Sequence, residues 1–255
     1  MPDTTAHLTL TALPDIPLIQ PGDDLVAIIL AGLDRAGIVL ADDDVIVIAS
    51  KVVSKAEGRL VPLSQVEVTP EAEVLAPYVG KDPRLLTLIL AESAGVLRTR
   101  PGLIVVEHRL GFVCANAGID RSNIRGEDMA LLLPEDPDAS ARRVREGLRA
   151  ATGADVAVVI NDSHGRAWRM GTVGVAIGVA GLLPLTDRRG DVDLFGREMR
   201  ITVLGTADEI AAAASLLQGG TNEARPIVHM RGVPYRRGDG RLQDMLRPKG
   251  KDMFR

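Results

Sequence analysis

Apolar and polar residues follow two different periods along this chain, and the switches between them predict its elements. Residues 21–37 open with Pro21-Gly-Asp-Asp, place Leu25, Ile28, Ile29 and Leu33 at helical spacing and stop at Gly37. That is the pattern of an N-capped amphipathic helix. Asp44-Val-Ile-Val-Ile-Ala-Ser50 is a continuous apolar run of strand length and predicts a buried strand. Residues 70–79 and 83–93 read as helices, while Leu103–Glu107 and Gly111–Ala115 flank a short polar turn and read as a hairpin. The stretch 125–137, with Gly126, Pro134 and Pro137 among acidic residues, reads as a loop. An Arg-rich helix over 138–151 and an apolar strand over 155–160 follow. Residues 172–180 alternate small and β-branched side chains, predicting a further strand whose glycines invite close backbone approach. A charged Gly/Asp/Arg loop (183–198), a strand (200–204), an Ala-rich helix (207–217) and a strand (227–231) complete the pattern.

Strands and helices mix here without a strict βαβ rhythm, so the expected class is α+β with a mixed sheet rather than a doubly wound one. No internal repeat and no clean linker divide the 255 residues, which are read as a single domain, 1–255, with ample length to bury a core. The net charge of −4 is uneven. Residues 231–255 form a basic C-terminal segment with eight Lys/Arg against three Asp, leaving −9 on the first 230 residues. Such a segment either attracts an anionic ligand or is a solvated tail. Aromatics make up 2% of the chain, which removes the stacking platform of single-strand nucleic-acid binders. A pI near 5.6 adds to the case against nucleic acid. The lone cysteine, Cys114, excludes an intrachain disulfide and, within an apolar run, reads as a buried inert thiol rather than a nucleophile. Neither a basic-then-apolar leader nor an apolar run of about 18 residues is found, so the expectation is a cytoplasmic protein without a membrane span.

Two segments concentrate the chemistry, 107–123 and 160–171. Each runs from apolar residues into Asp, Asn, Ser, His and Arg, and strand ends in α/β proteins commonly carry sites. Neither a G-x-x-x-x-G-K-[ST] P-loop nor a strand-borne G-x-G-x-x-G Rossmann motif occurs, so any phosphate site is assembled another way. Ser50 and Lys55 at the end of the 44–49 strand offer a hydroxyl donor and a compact cation for phosphate oxygens, against the reading of a solvated loop lysine. Asp120 and Asp162 are candidate ligands of a hard cation such as Mg2+ or Mn2+, which prefers carboxylate oxygen and keeps water and phosphate in its shell. Each of them, taken singly, also reads as a turn former or helix cap. Ser163 is placed to complete that shell and Asn123 to contact a nucleotide. His108 and His164 stand beside arginines in polar stretches without the spacing of a zinc site. Arg166 and Arg169 are candidates to clamp a carboxylate or phosphate.

These segments closely resemble the coenzyme F420-0:L-glutamate ligase family, the γ-glutamyl ligases. The matching runs are Pro21-Gly-Asp-Asp-Leu25, Ser50-Lys-Val-Val-Ser-Lys-Ala-Glu-Gly-Arg59, Gly111-Phe-Val-Cys-Ala-Asn-Ala-Gly-Ile-Asp-Arg-Ser-Asn123, Val159-Ile-Asn-Asp-Ser-His-Gly-Arg-Ala-Trp-Arg169 and Ala207-Asp-Glu-Ile-Ala-Ala-Ala-Ala214, in family order over nearly the whole chain. The resemblance implies an α+β fold of two intertwined subdomains and a homodimer. It also implies a GTP-dependent, GDP-forming ligase that joins L-glutamate to the deazaflavin precursor coenzyme F420-0 through a γ-linked amide and an acyl phosphate. Mg2+ or Mn2+ would be the cofactor, with K+ as an aid. Metal ligation is implied for Asp120, Asp162 and Ser163, where relatives often carry Thr in place of the serine. GTP contacts are implied for Ile16, Pro17, Leu18, Ile19, Ser50, Lys55 and Asn123, and the catalytic set is Lys55, Asp120 and Asp162. Residues 218–225, Gln-Gly-Gly-Thr-Asn-Glu-Ala-Arg, depart from the acidic and glycine pattern of some relatives, which leaves a second-metal role there in doubt. Two alternatives stay open: another metal-dependent phosphoryl- or acyl-transfer enzyme on the same scaffold, and a non-catalytic nucleotide-binding module.

Overall fold

The computed structural model describes residues 6–124, 126 and 128–253. Arg125 and Glu127 of the segment read as a loop, and Arg255 of the basic tail, lie outside the described residues. In chain order the elements are β1 Thr9–Ala12, α1 Leu25–Arg35, β2 Val45–Ala49, α2 Ser50–Ala56, β3 Leu60–Pro62, α3 Pro70–Val79, α4 Pro83–Ala91, β4 Ser93–Arg100, β5 Leu103–His108, β6 Val113–Ala115 and β7 Met129–Leu131. The second half adds α5 Pro137–Thr152, β8 Ala157–Arg166, β9 Arg169–Ala180, β10 Thr186–Asp187, β11 Val203–Leu204, α6 Thr206–Gln218 and β12 Ile227–Arg231.

A five-stranded sheet in the order β1-β12-β2-β8-β9 forms the centre. Only β2 and β8 run parallel, and every other neighbour pair is antiparallel, so the sheet is mixed as expected. Its strands are apolar on both faces because both faces are covered. Ile46 and Ile48 of β2 join α1, α5 and Val158 and Ile160 of β8 in one core cluster. The alternate residues Val45 and Val47 join Ala207, Ile210, Ala211 and Ala214 of α6 in another. A third cluster packs α3 and α4 on Ile104 and Val106 of β5, within a separate three-stranded sheet β4-β5-β6. The chain leaves the central core after α2, builds this second unit, and returns through β7, which pairs with β3.

The helix starts follow the capping chemistry. Asp24 Oδ1 accepts from the Val26 and Ala27 amides at 2.9 and 3.2 Å, and Asp136 Oδ1 accepts from Ala139 N at 2.8 Å. The close approach expected of the β9 glycines is realised. A Cβ on Gly178 would stand 2.5 Å from the Pro137 carbonyl carbon, and one on Gly174 would stand 2.5 Å from Ala211 O.

Several elements differ from the pattern reading. Residues 50–56 form a helix rather than a strand end running into a loop, because Val52 and Val53 are buried against the core and burial overrides β-branched propensity. Strand β4 begins where the helix over 83–93 was expected to end, and β1 was not foreseen. The expected loop 125–137 contains β7, and the strand over 200–204 shrinks to two residues. Most important for the site, β8 does not end at Ile160. Antiparallel pairing with β9 continues through Asp162↔Val175 and Ser163↔Gly174, so the polar residues lie within a strand rather than at its end. A register shift between Ile160 and Asn161 marks the point where the strand turns from core to cavity.

Candidate functional site

Five parts of the chain meet around a cavity of about 590 Å³, a size typical of small-molecule and cofactor sites. Ile16, Pro17, Leu18 and Ile19, between β1 and α1, supply an apolar wall. Ser50, Lys51 and Lys55 come from α2, Asn161, Asp162 and Ser163 from β8, and Asn123 and Ile124 from the loop after Asp120. Residues 218–226, at and beyond the end of α6, close the remaining side. Nine of the ten candidate site residues therefore line one cavity; the tenth, Asp120, reaches it through Lys51.

The parallel pair β2 and β8 makes this convergence. Ala49 stands opposite Asn161, so the first residue of α2 and the polar part of β8 emerge side by side. Ser50, almost completely buried, donates its hydroxyl to Asp162 Oδ1 at 2.8 Å. The other oxygen, Oδ2, lies 3.0 Å from His164 Nε2. Burial pushes the Asp162 carboxyl up, but the hydrogen bonds from His164 and Ser50, with the Ser163 amide, outweigh it and hold the group below its ordinary range. It stays a carboxylate.

Lys51 and Lys55 are four residues apart on α2 and so share a face. Both reach the loop that follows Asp120. Lys51 Nζ lies 2.5 Å from Asp120 Oδ2 and donates to Ser122 Oγ at 2.8 Å. Lys55 Nζ donates to the Asn123 carbonyl at 2.8 Å. Asp120 Oδ1 accepts from Ser122 N at 2.6 Å, and these bonds keep its carboxyl below the ordinary range despite burial. Burial lowers the Lys55 pKa, and the Lys51 charge lowers it further, against a partial offset by Asp120. Asn123 adopts a left-handed backbone at φ +55° and donates from Nδ2 to Thr221 O at 2.9 Å, which joins two loops of the rim. The Asn161 and Gln218 amides exchange two hydrogen bonds, 2.7 and 3.0 Å, and fix α6 to β8 at the cavity floor. In the 218–225 stretch Glu223 lines the cavity, and its Oε2 accepts from the Thr221 amide at 2.8 Å.

The arginines and histidines fall elsewhere. Arg166 and Arg169 face each other across the exposed end of the β8–β9 hairpin and are not part of the cavity wall. His108, read as part of a polar turn, is completely buried and stacked on Phe112, because it is the last residue of β5 and alternates onto the same buried face as Ile104 and Val106. Cys114 is buried as expected. Burial, with the Asp162 charge adding to it, pushes the thiol up to about 12. Sequence reasoning missed Lys51, Asn161 and Gln218. The first had a usable signal, since its spacing from Lys55 matters once the segment is read as a helix; the amide pair had none.

A family profile described as F420-0:Gamma-glutamyl ligase matches residues 15–232. Among curated proteins, the chain is 46% identical over 250 residues to the "Coenzyme F420:L-glutamate ligase" of Methanothermobacter thermautotrophicus, covering 97% of this chain and 99% of that one. It is 44% identical to the protein of the same name from Methanopyrus kandleri, covering 93% of each chain. The like-named protein of Archaeoglobus fulgidus is 41% identical over 240 residues, 94% of this chain and 93% of its own. The match spans all the segments that build the cavity, and the chain belongs to the F420-0:gamma-glutamyl ligase family, a family of ligases that form carbon–nitrogen bonds.

Proposed function

We propose that this protein joins L-glutamate to coenzyme F420-0 and drives the reaction with GTP, in the biosynthesis of coenzyme F420. The observation that carries this reading is the single cavity in which an apolar wall, two lysines and an ionised aspartate converge. The apolar residues Ile16–Ile19 suit a nucleoside, and Lys51 and Lys55 suit its phosphates. Asn123 and the backbone of the 218–225 loop add hydrogen-bonding groups at the rim, and Ser50 adds a buried hydroxyl beside Asp162.

A carboxylate is a poor acylating agent at neutral pH. In the proposed sequence the F420-0 carboxylate attacks the γ-phosphorus of GTP, the bond to the bridging oxygen breaks, and GDP leaves with the electron pair. The resulting acyl phosphate is then attacked by the glutamate amine, phosphate departs, and the amine proton is released. Two anions must be aligned, which requires neutralising charge and fixed orientation more than covalent help from the protein. Lys55 and Lys51 supply the positive charge, and Asn123 and Ser50 fix the approach.

The donors fit a hard divalent cation. Asp120 and Asp162 are held ionised, Ser163 adds a hydroxyl, and the hydrogen-bond partners of Asp162 are a serine and a histidine rather than a lysine or arginine. Among the described residues no group of three or more His, Cys, Asp or Glu is arranged to hold a metal by itself. Hydroxyl, water and phosphate oxygens would complete the shell, as Mg2+ and Mn2+ prefer. When bound, the cation would offset negative charge on the transferring phosphoryl group, with K+ as an activator.

A homodimer is part of the same reading. Met170, Leu194, Phe195 and Ile201 leave large apolar side chains exposed on β9 and the segment between β10 and β11, a surface suited to a second copy. The test is incubation with GTP, Mn2+, L-glutamate and F420-0, followed by product masses and GDP release. Release that requires both acceptor and glutamate supports the proposal. Release with a different carboxylate acceptor points to the related transferase, and binding without turnover to a non-catalytic module.

A further inference from the structure

One oxygen of the Asp162 carboxylate, Oδ2, is held by a side chain that does not itself line the cavity. His164 stands two residues further along β8, on the same face, with Nε2 3.0 Å from Asp162 Oδ2. A carboxylate only accepts, so Nε2 is the donor. The His164 side chain is 11% exposed and rests on Phe112, with ring centroids 5.2 Å apart and planes tilted by 47°. Phe112 in turn lies flat on His108, centroids 5.1 Å apart and planes within 4°. His108 is fixed from behind. Its Nδ1 accepts from the Leu110 amide at 3.0 Å, which leaves the proton on Nε2, directed toward Glu92 Oε2 at 3.6 Å. Glu92 is pinned by Arg59 at 3.1 Å and Arg109 at 3.0 Å.

The rings thus form a column from a buried ion cluster, at the junction of the two units of the fold, to an oxygen of Asp162. His164, Phe112 and His108 are all absent from the cavity wall, while Asp162 belongs to it. Free rotation of the Asp162 side chain would cost affinity for any cation it binds, because the carboxylate would have to be ordered on binding.

We propose that His164, backed by the Phe112–His108 stack, is a positioning residue that presents the Asp162 carboxylate to a divalent cation. The inference rests on the metal reading of Asp162 given above. Outer-shell partners of this kind are generally worth about 10- to 100-fold in metal affinity.

The test uses Mn2+ uptake by the purified protein with GTP present, read from the loss of the free-ion signal in electron paramagnetic resonance. His164→Gln and His164→Asn are both neutral amides and differ in reach. The glutamine amide extends to the Nε2 position, and the asparagine amide falls short of it. His164→Asn should weaken Mn2+ binding by about 10- to 100-fold, with the KM for GTP at saturating metal unchanged, and His164→Gln should retain near wild-type affinity. Equal affinities in the two variants overturn the inference. Should His164→Asn fail to fold, His164→Gln decides alone, and a tenfold loss in that folded variant overturns it. Asp162→Asn separates this outcome from failure of the metal reading. Loss of Mn2+ in Asp162→Asn with none in His164→Asn overturns the positioning role only. Uptake unchanged by Asp162→Asn, or absent from the wild-type protein, overturns the metal reading.

Discussion

Lys51 Nζ lies 2.5 Å from Asp120 Oδ2, so a lysine on α2 neutralises one of the two carboxylates proposed to hold a cation. The pair is about one-third exposed on each side, where an ion pair adds little to stability. Its value lies in holding a positive charge between the loop after Asp120 and the cavity. Lys51→Met should therefore leave the melting temperature nearly unchanged, since such pairs contribute about 0–1 kcal/mol. GTP-dependent turnover should fall by about 100- to 1,000-fold, the usual cost of removing one preorganised charge. Thermal melts and initial rates on the same preparation check both halves.

Lys55 gives a pH signature. Burial and the neighbouring Lys51 charge lower its pKa below 10.5, so its ammonium is lost at a lower pH than that of an ordinary lysine. If the cation is needed, kcat/KM for GTP should decline on the alkaline side before that value is reached. Lys55→Arg keeps the charge and should move the alkaline limb upward. An alkaline limb that stays in place in the arginine variant would rule Lys55 out as its source.

Asp44 anchors β12 to β2 from within the core. Its side chain is 1% exposed and is met by Arg231 at 2.7 and 2.8 Å, with His229 Nε2 at 2.9 Å. Burial pushes the carboxyl up, but the Arg231 and Ala41 hydrogen bonds, with His229 close by, prevail and hold it below 3.8. A depressed folded-state pKa means that the stabilisation is fully present above 3.8 and fades as pH falls through the lowered value. Asp44→Asn should cost about 3 kcal/mol in urea unfolding at about pH 7, and the gap from wild type should narrow near pH 3. A gap that widens on acidification would contradict the assignment.

Gly178 tests the packing of α5 on β9. A methyl group there meets the Pro137 backbone at 2.5 Å, and backbone cannot rotate away. Gly178→Ala should lower stability by about 1–3 kcal/mol, seen as a lower urea midpoint at unchanged slope. Gly95→Ala, where nothing lies within 4 Å, should change it by less than about 0.5 kcal/mol.

The elements legible in the sequence were those whose own residues are buried in a regular pattern. The run 45–49 announced a central strand because both of its faces are covered, and Asp24 announced α1 because its carboxylate caps it. Helix α2 was not legible, since Val52 and Val53 favour strand locally and only tertiary burial makes them helical. The true length of β8 was hidden for a related reason. Its outer half is held by pairing with β9, which no local pattern of Asp, Ser and His encodes. The candidate site was legible as residue types, and Asp162, Ser163, Lys55 and Asn123 do meet in one cavity. That Lys51 belongs with them, or that His164 is packed behind Asp162, depends on which neighbours the fold supplies.

The central claim is that GTP activates the acceptor as an acyl phosphate, and oxygen transfer tests it most directly. F420-0 labelled with oxygen-18 in its carboxylate is incubated with enzyme, GTP, Mn2+ and L-glutamate, and the inorganic phosphate released is examined by phosphorus NMR. The account predicts that one labelled oxygen passes from the carboxylate to phosphate for each amide formed. Amide formation with unlabelled phosphate would contradict it.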